Sequence, residues 1–386
     1  MEYFLYILLA IIVLLAMITI HELGHYIAGK ILKFKINEFS IGLGPKIFSK
    51  TNKKTGEVFS LRVVPLGGYC AFEGETDVEE EEGEEEFVDP DTVYEELEKK
   101  PVMPPCVDPL RDKENAVEQT RSFIEEKPWK RLIVLVSGAL FNFISAIIFS
   151  IIVICVVGYS VPTVTNIYTD ATNAPYCTEL QVGDKILAVD GQEINVMTSY
   201  EELVTDKSEN KEYTFLIERN GEQKEVKVKV QRIVGTDGET EFDYMGIGFV
   251  TLYAHESASF WDALVYCVPY TLELSFSILK VFGGLFTGSV PLTSVTGPVG
   301  TVDTIAQLGM LDWRNILILL PLIASNLAIF NVLPIPALDG SKLIFTTIEW
   351  IRKKPINRKV ENIIHAVGMI LLLGFIVVID IIGLFT

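Results

Sequence analysis

The chain has 386 residues, carries a formal net charge of −19 and is 49% hydrophobic, with a mean hydropathy of +0.35. These values exclude an ordinary soluble protein, and the 22% of charged residues excludes a chain that lies wholly in lipid. The absence of a basic patch excludes a nucleic-acid partner. We therefore expect membrane spans in a lipid bilayer, combined with aqueous domains.

The first apolar run, from Tyr3 to Ile20, leads directly into His21-Glu22-Leu23-Gly24-His25. Glu2 stands where a secretory signal has cations, and no small-residue cleavage site follows, so we expect this span to stay in the protein. Two histidines four apart lie on one face of a helix, where both can bind one Zn²⁺ ion. Glu22 projects beside them as a candidate general base.

Lysines and arginines follow this span, and the positive-inside rule places them in the cytoplasm with the N-terminus outside. Further cations precede a second apolar run, Leu132 to Val157, and separate a third, Ile316 to Val332, from a fourth, Ile363 to Ile382. Crossing the hydrocarbon core takes about 20 helical residues, so these runs predict four transmembrane helices. The long segment between the second and third spans is then extracytoplasmic.

Two segments after the first span, Phe39 to Pro45 and Val58 to Cys70, contain β-branched residues and tight-turn signals. They predict a membrane-associated β-hairpin region. Glycine lets another backbone approach closely, and an unpaired strand edge can accept an extended peptide. Gly42 and Gly44 are therefore candidate substrate-binding residues, and an ordinary hairpin is the alternative interpretation.

The negative charge is concentrated in one place. From Glu73 to Glu98 the chain has 15 acidic residues and neither lysine nor arginine. Such a block is usually solvated and disordered, and we prefer this interpretation to a specific partner site.

A small β-rich domain is predicted between Pro162 and about Arg232. Two alternating segments flank Asn220-Gly221, a two-residue hairpin signal, and Thr198 to Glu202 can cap a short helix. The pattern resembles a PDZ domain, in which a strand and a helix form a groove for an added peptide strand. The resemblance implies peptide termini as partners, and a spacer without ligand affinity is the alternative.

A further apolar segment, Phe260 to Phe286, carries Asp262, Glu273 and Lys280. If it crossed the membrane, the third span would deliver its C-terminal end to the outer face, away from the histidines. We therefore expect it to be interfacial or re-entrant.

A zinc site needs a third protein ligand, and Asp339 is the best candidate. It follows Pro334 and Pro336, which break the third span and turn a carboxylate away from lipid. His255 and His365 are more typical of interfacial histidines than of ligands.

The segment Asn331-x-x-Pro334-x-Pro336-x-x-Asp339-Gly340, paired with the upstream His-Glu-x-x-His, resembles the site-2 protease family of zinc intramembrane proteases. Five further features match the bacterial branch in order: Gly42-Leu43-Gly44-Pro45, Leu66-Gly67-Gly68-Tyr69, Trp129-Lys130-Arg131, the PDZ-like domain and Gly297-Pro298-Val299-Gly300. Ala139 departs from it, since that branch usually has proline after the glycine.

The resemblance implies a zinc-dependent endopeptidase of the bacterial cytoplasmic membrane, with Asn331 bonded to the substrate backbone near the scissile bond. The implied substrates are transmembrane segments of regulatory proteins, such as an anti-sigma factor after a first cut, or remnant signal peptides. A non-catalytic scaffold and a metal transporter are the rival classes. The intact Glu22 argues against the first, and the clustering of the polar residues at one depth argues against the second.

The predicted fold is a polytopic α-helical membrane protein with about four transmembrane helices, a β-hairpin region and one extracytoplasmic PDZ-like α/β domain. The predicted divisions are 1–72 with the first span and β region, 73–121 as an acidic cytoplasmic insert, 122–158 with the second span, 159–235 as the PDZ-like domain, 236–312 as an extracytoplasmic or interfacial segment, 313–340 with the third span, 341–362 as a cytoplasmic loop and 363–386 with the fourth span.

Overall fold

A computed structural model describes residues 2–75, 122–169, 175–237, 240–291 and 295–385. The acidic run therefore lies outside the described residues from position 76 onward. The helices are α1 (Glu2–Ile31), α2 (Pro128–Val156), α3 (Tyr200–Leu203), α4 (Phe260–Thr287), α5 (Pro298–Leu311), α6 (Arg314–Val332), α7 (Asp339–Arg352) and α8 (Arg358–Phe385), and a short 3-10 helix at Phe123–Glu125 precedes α2.

The strands are β1 (Ile36–Thr51), β2 (Val58–Phe72), β3 (Tyr159–Ile167), β4 (Lys185–Val189), β5 (Gln192–Glu193), β6 (Glu212–Arg219), β7 (Glu222–Lys229), β8 (Gln231–Asp237), β9 (Thr240–Gly246) and β10 (Phe249–Glu256).

Five of the helices, α1, α2, α4, α6 and α8, are long and apolar enough to cross a membrane. The four spans predicted from the sequence fall on α1, α2, α6 and α8. The fifth candidate is α4, a continuous helix of 28 residues over the segment for which we expected an interfacial or re-entrant course. A polytopic membrane architecture with added β sheets follows from these elements.

Side-chain contacts fix the relative directions of the bundle helices. Met17 of α1 packs in one cluster with Ala146 of α2 and Ala324 of α6. Toward the C-terminal end of α1, His25 approaches Val134 of α2. Because the residue number rises along α1 while it falls along α2, the two helices are antiparallel.

Helix α6 runs parallel to α1. Near the N-terminal end of α1, Ala10 packs with Ile316, and three turns later His21 lies beside Asn331. The C-terminal end of α6 therefore arrives at the depth of the histidines, as the sequence argument required.

The β1–β2 sheet lies beside the C-terminal half of α1, and both of its strands bend. Residues 36–41 pair with residues 68–72 on one edge, and residues 38–41 pair with residues 58–61 on the other. Beyond the bend, residues 46–51 pair with residues 58–62. Gly42 and Gly44, with φ of +86° and +82°, lie at the bend of β1, where left-handed backbone favours glycine. The predicted β region is confirmed, with a more complex register than a single hairpin.

The β-rich domain follows α2 directly. Its main sheet has the order β10-β3-β4-β6-β7, with β5 beside β4, and β8 and β9 form a separate pair. Val164, Ile186 and Phe215 are fully buried in its core. The Asn220-Gly221 turn between β6 and β7 has φ of 56° and 82°, the geometry of a type I′ hairpin, so that prediction is confirmed.

Candidate metal centre

Three side chains from distant parts of the chain meet at the end of α1. The Oδ2 atom of Asp339 lies 3.0 Å from His21 Nε2 and 3.0 Å from His25 Nε2, and the two Nε2 atoms are 3.2 Å apart. Both imidazoles are buried. Within the described residues this is the one group of three or more metal-ligating side chains with ligand atoms this close together.

The spacing of these atoms fits a zinc ion. Tetrahedral zinc with bonds of about 2.0–2.1 Å holds its ligand atoms roughly 3.3 Å apart, close to the three separations given above. Two imidazoles and one carboxylate are also a donor set that catalytic zinc sites use, with a fourth position left for water or substrate. The residues present therefore fit the metal.

The position of Asp339 depends on the broken chain after α6. The loop contains Pro334 and Pro336, and Ala337 adopts a left-handed conformation with φ of 78°. The backbone N–H of Ala337 donates to His365 Nδ1 of α8 at 3.4 Å. His365 thus supports the loop and lies outside the ligand group, in line with the sequence interpretation.

Ion pairs hold α7, the helix that begins at Asp339. Glu349 pairs with Arg131 of α2 at 2.7 Å and with Arg358 of α8 at 3.0 Å. Lys342 pairs with Glu75 at 2.7 Å, and the attraction of that carboxylate raises the pKa of Lys342 above its ordinary value. Breaking a buried pair such as Arg131–Glu349 by removing one partner costs about 3–5 kcal/mol, so this contact fixes α7 against α2, and Arg358 connects it to α8.

Helix α2 packs against the imidazoles. His25 Nδ1 lies 2.8 Å from the carbonyl oxygen of Val134, and Asn142 Nδ2 lies 3.3 Å from His21 Nδ1. Between them, a Cβ atom on Gly138 would come 2.6 Å from His21 Cε1 and would clash with His25 Nε2. Glycine at this position therefore lets α2 approach the centre.

A cavity of about 280 Å³ opens beside the three ligand atoms. Glu22 and Asn331 line it, so the structure brings the candidate base and the candidate substrate-binding amide to the same space. Its walls comprise Ile18, His21, Glu22, Gly67, Gly68, Asn142, Leu327, Asn331, Ala337, Leu338 and Asp339.

Two glycines of β2, Gly67 and Gly68, line this cavity. Gly42 and Gly44 are not among the described residues that line it. Leu43, between these last two, contacts Gly67. The Pro65-Leu66-Gly67-Gly68 turn was visible in the sequence, but nothing local distinguished it from the Gly42 to Gly44 turn.

Asn142, Gly138 and Val134 were also missed. The available signal was a single amide side chain within an otherwise apolar run, since polar residues inside membrane helices are costly and often functional.

Comparison with known proteins gives a consistent result along the whole chain. The family model described as peptidase family M50 matches residues 9–375. A Fusobacterium nucleatum protein is 30% identical over 376 residues, which cover 97% of each chain. Zinc metalloprotease RasP of Geobacillus kaustophilus is 28% identical and covers 96% of this chain and 95% of its own length. The probable protease eep of Enterococcus faecalis is 28% identical and covers 95% of each chain.

Proposed function

This chain belongs to peptidase family M50, the zinc metalloproteases of the site-2 type, and on that premise we propose that His21, His25 and Asp339 bind its zinc ion while Glu22 acts as general base. The family acts by intramembrane proteolysis. The observation that carries the residue assignment is the set of ligand-atom separations of 3.0–3.2 Å beside a cavity that Glu22 lines.

The roles of the residues follow from their positions. Zinc supplies a Lewis acid that activates water near neutral pH and polarises a carbonyl oxygen. Glu22 takes a proton from the attacking water and passes it to the leaving amine. Asn331 lines the same cavity and donates a hydrogen bond to the substrate backbone, which holds the scissile carbonyl in position.

A substrate helix must be extended before it is cleaved, because its carbonyl groups are occupied by its own hydrogen bonds. Residues 68–72 pair with β1 on one edge, and among the described strands nothing pairs with their other edge. Gly68 lies beside Glu22, since a Cβ there would be 3.3 Å from Glu22 Cγ. We propose that the substrate adds as a strand at this edge, and that Gly42 and Gly44 assist by shaping the bend that carries Leu43.

The metal centre faces the cytoplasmic side in this proposal, and the N-terminus and the β-rich domain are extracytoplasmic. Three basic segments support it, because the contacts above bring them to the same end of the bundle as the histidines. These are the residues after α1, the start of α2 and the connection between α7 and α8. The positive-inside rule assigns such an end to the cytoplasm.

The β-rich domain provides a PDZ-like site for a peptide terminus. Its strand β10 is an edge strand of the sheet, and Tyr200 of α3 packs against Phe249 of β10 with ring centroids 6.2 Å apart. An exposed strand beside a helix is the arrangement that accepts an added peptide strand. A domain of this kind at the outer face would also exclude membrane proteins with large outer domains.

The substrates are transmembrane segments of regulatory membrane proteins, such as anti-sigma factors after a first cut, or remnant signal peptides. The cavity beside Glu22 is large enough for a single extended segment and too small for an intact helix, which is about 10 Å across.

The function is tested with the purified full-length protein and a model transmembrane peptide. The Glu22→Gln variant is expected to retain zinc and lose at least about 100-fold in turnover, the effect of removing a general base. Asp339→Asn is expected to lower the zinc content measured by metal analysis. Glu225→Gln, on the exposed strand β7, is the control. Undiminished turnover by Glu22→Gln would exclude the general-base role, and unchanged zinc in Asp339→Asn would remove that ligand.

A further inference from the structure

We propose that Asn142 of α2 is a positioning residue that sets the tautomer and orientation of His21 by accepting a hydrogen bond from its Nδ1–H group. The inference rests on the proposed zinc site and is independent of any substrate. It assigns to α2, which contributes no ligand, a direct effect on the affinity for the metal.

Burial of the Asn142 amide within α2 is unfavourable in free energy. It is 0% exposed in the middle of an apolar helix of 29 residues. Its Nδ2 atom lies 3.3 Å from His21 Nδ1, while its buried Oδ1 atom has no hydrogen-bond partner. An unsatisfied buried polar atom costs about 1–3 kcal/mol, so this arrangement calls for an explanation.

The chemistry of the histidine supplies the explanation. The atom of His21 that faces Asp339 and His25 is Nε2, so Nε2 needs a free lone pair to bind zinc. In a neutral imidazole the proton then lies on Nδ1, which becomes a donor. A donor cannot bond to the NH₂ group of Asn142, and it requires the amide oxygen instead.

Rotation of the amide by about 180° places an acceptor against His21 Nδ1 in the buried position that Nδ2 occupied. The oxygen and nitrogen of an asparagine side chain are assigned from the hydrogen bonds they make. With Oδ1 in the position of Nδ2, the Nδ1–H of His21 donates to Oδ1 across the same 3.3 Å. The amide oxygen is then satisfied, and the imidazole is held with Nε2 toward the metal.

His25 has the equivalent support from the same helix. Its Nδ1 lies 2.8 Å from the Val134 carbonyl oxygen, which can only accept. The acceptors for His25 and His21 are thus eight residues apart on α2, and Gly138 halfway between them allows the close approach. Ligating histidines generally donate their second N–H in this manner.

Asn331 is the competing acceptor. Its Nδ2 lies 3.5 Å from His21 Nδ1, a longer separation, and its side chain lines the cavity where substrate would bind. Assigning the His21 bond to Asn142 leaves the Asn331 amide free for the substrate. The two residues are therefore expected to affect different measurements.

The experiment measures zinc affinity by competition with a fluorescent chelator, using the full-length protein in detergent. The variants are Asn142→Leu, which removes the acceptor at similar volume, and Asn142→Asp, which keeps the shape and can only accept. Ser150→Ala is the control, since Ser150 is a buried polar residue of α2 bonded to Thr271, two turns from the centre. Asn331→Leu is measured in parallel.

We expect Asn142→Leu to bind zinc about 10–100-fold more weakly, the usual effect of losing such a support. We expect Asn142→Asp to bind it at least as tightly as the wild type. If Asn142→Leu fails to fold, the zinc affinity of Asn142→Asp still tests the proposal. Weaker zinc binding by Asn142→Asp than by the wild type would overturn the proposal, because an acceptor at this position should hold Nε2 free for the metal.

Two other outcomes would also overturn it. One is wild-type affinity in Asn142→Leu, and the other is weaker zinc binding in Asn331→Leu alone, which would make Asn331 the acceptor. A wild-type chain that binds no zinc would overturn the metal centre together with this inference. Loss of peptide cleavage with normal zinc affinities would instead count against the proposed substrate class alone.

Discussion

Gly138 shows how little space the metal centre leaves around its ligands. Any side chain at this position would enter the space of the two imidazoles, because a Cβ would lie 2.6 Å from His21 Cε1 and closer still to His25 Nε2. The backbone of α2 and the ring atoms on α1 are both fixed by packing, so neither can move away without disturbing the three ligand atoms.

Replacing Gly138 by alanine is therefore expected to weaken zinc binding about tenfold or more, since overpacking of this kind costs about 1–3 kcal/mol. Chelator competition measures the affinity, and circular dichroism checks that the helices remain. Gly374→Ala on α8 is the matched control, because a Cβ there meets no atom within 4 Å. Equal zinc affinities for the two variants would show that α2 is not in close contact with the ligands.

The cluster of His21, His25 and Asp339 was predictable from the sequence as a candidate metal centre because its signals are local. His21 and His25 share a helix face through their spacing, and Asp339 follows two prolines at the end of an apolar run. The supporting residues carry no such signal. Val134 acts through its backbone, and the relation of Asn142 to His21 arises only when two helices separated by 96 residues pack together.

The β1–β2 sheet depends on one carboxylate at its centre. Glu38 accepts hydrogen bonds from Ser60 at 2.5 Å and from Arg62 at 3.0 Å, and Lys46 lies 3.3 Å away. Burial alone would raise the pKa of Glu38, but these donors outweigh it and lower the pKa to about 2. Arg62 also donates to the Gly44 carbonyl at 2.7 Å, which connects Glu38 to the bend of β1.

We expect the sheet to lose this stabilisation in acid. A carboxyl group whose folded pKa lies below its ordinary value of 4.5 stabilises the fold above that ordinary value, and the effect disappears as the pH falls through the folded pKa. Glu38→Gln should therefore lower the thermal midpoint at pH 7. The difference from wild type should shrink between about pH 4.5 and pH 2.

Melting curves of the detergent-solubilised protein at several pH values measure this difference. Glu212→Gln provides the control, because Glu212 pairs with Lys229 on an exposed part of β7 and β6, where ion pairs contribute little. A difference between Glu38→Gln and wild type that stayed constant with pH would contradict an ionic role for Glu38.

Among the secondary-structure elements, the sequence predicted best those whose geometry depends on neighbouring residues in the chain. The Asn220-Gly221 hairpin was predicted correctly because its turn residues determine the register of the two flanking strands. The register of β1 was not predictable in the same way. Residues 36–41 pair with two separate parts of β2, and this arrangement requires both strands to bend and fold over each other.

The path of α4 concerns the topology of the whole molecule. Thr271 contacts Ser150 in the C-terminal part of α2, and Phe282 contacts Phe330, next to Asn331, with ring centroids 5.8 Å apart. Helix α4 therefore runs toward the depth of the metal centre, parallel to α6. The chain then turns back, since Val290 N–H donates to Gly284 at 3.2 Å.

The next helix, α5, begins at the opposite end of the bundle from the end of α4. The backbone N–H of Gly300 in α5 donates to Asp380 of α8 at 3.3 Å, and Asp380 lies 15 residues beyond His365, or about 22 Å along a helix. Two consecutive long helices that run in the same direction require such a return. We therefore test the prediction that α4 is re-entrant.

Single cysteines in a background without the native cysteines test this topology. In intact cells a membrane-impermeant maleimide is expected to label Asn220→Cys in the β6–β7 turn and Asp312→Cys between α5 and α6. Lys53→Cys in the β1–β2 turn and Lys354→Cys after α7 should react only in inverted vesicles, because the proposed topology places their basic segments in the cytoplasm. All four positions are on the surface between elements, so access to the reagent depends on the side of the membrane.

Position 312 is decisive, since it lies outside only if α4 and the return after it make no net crossing. Labelling of Asp312→Cys together with Lys53→Cys would mean that α4 crosses fully, and α6 would then have to run against α1, contrary to the contact of His21 with Asn331.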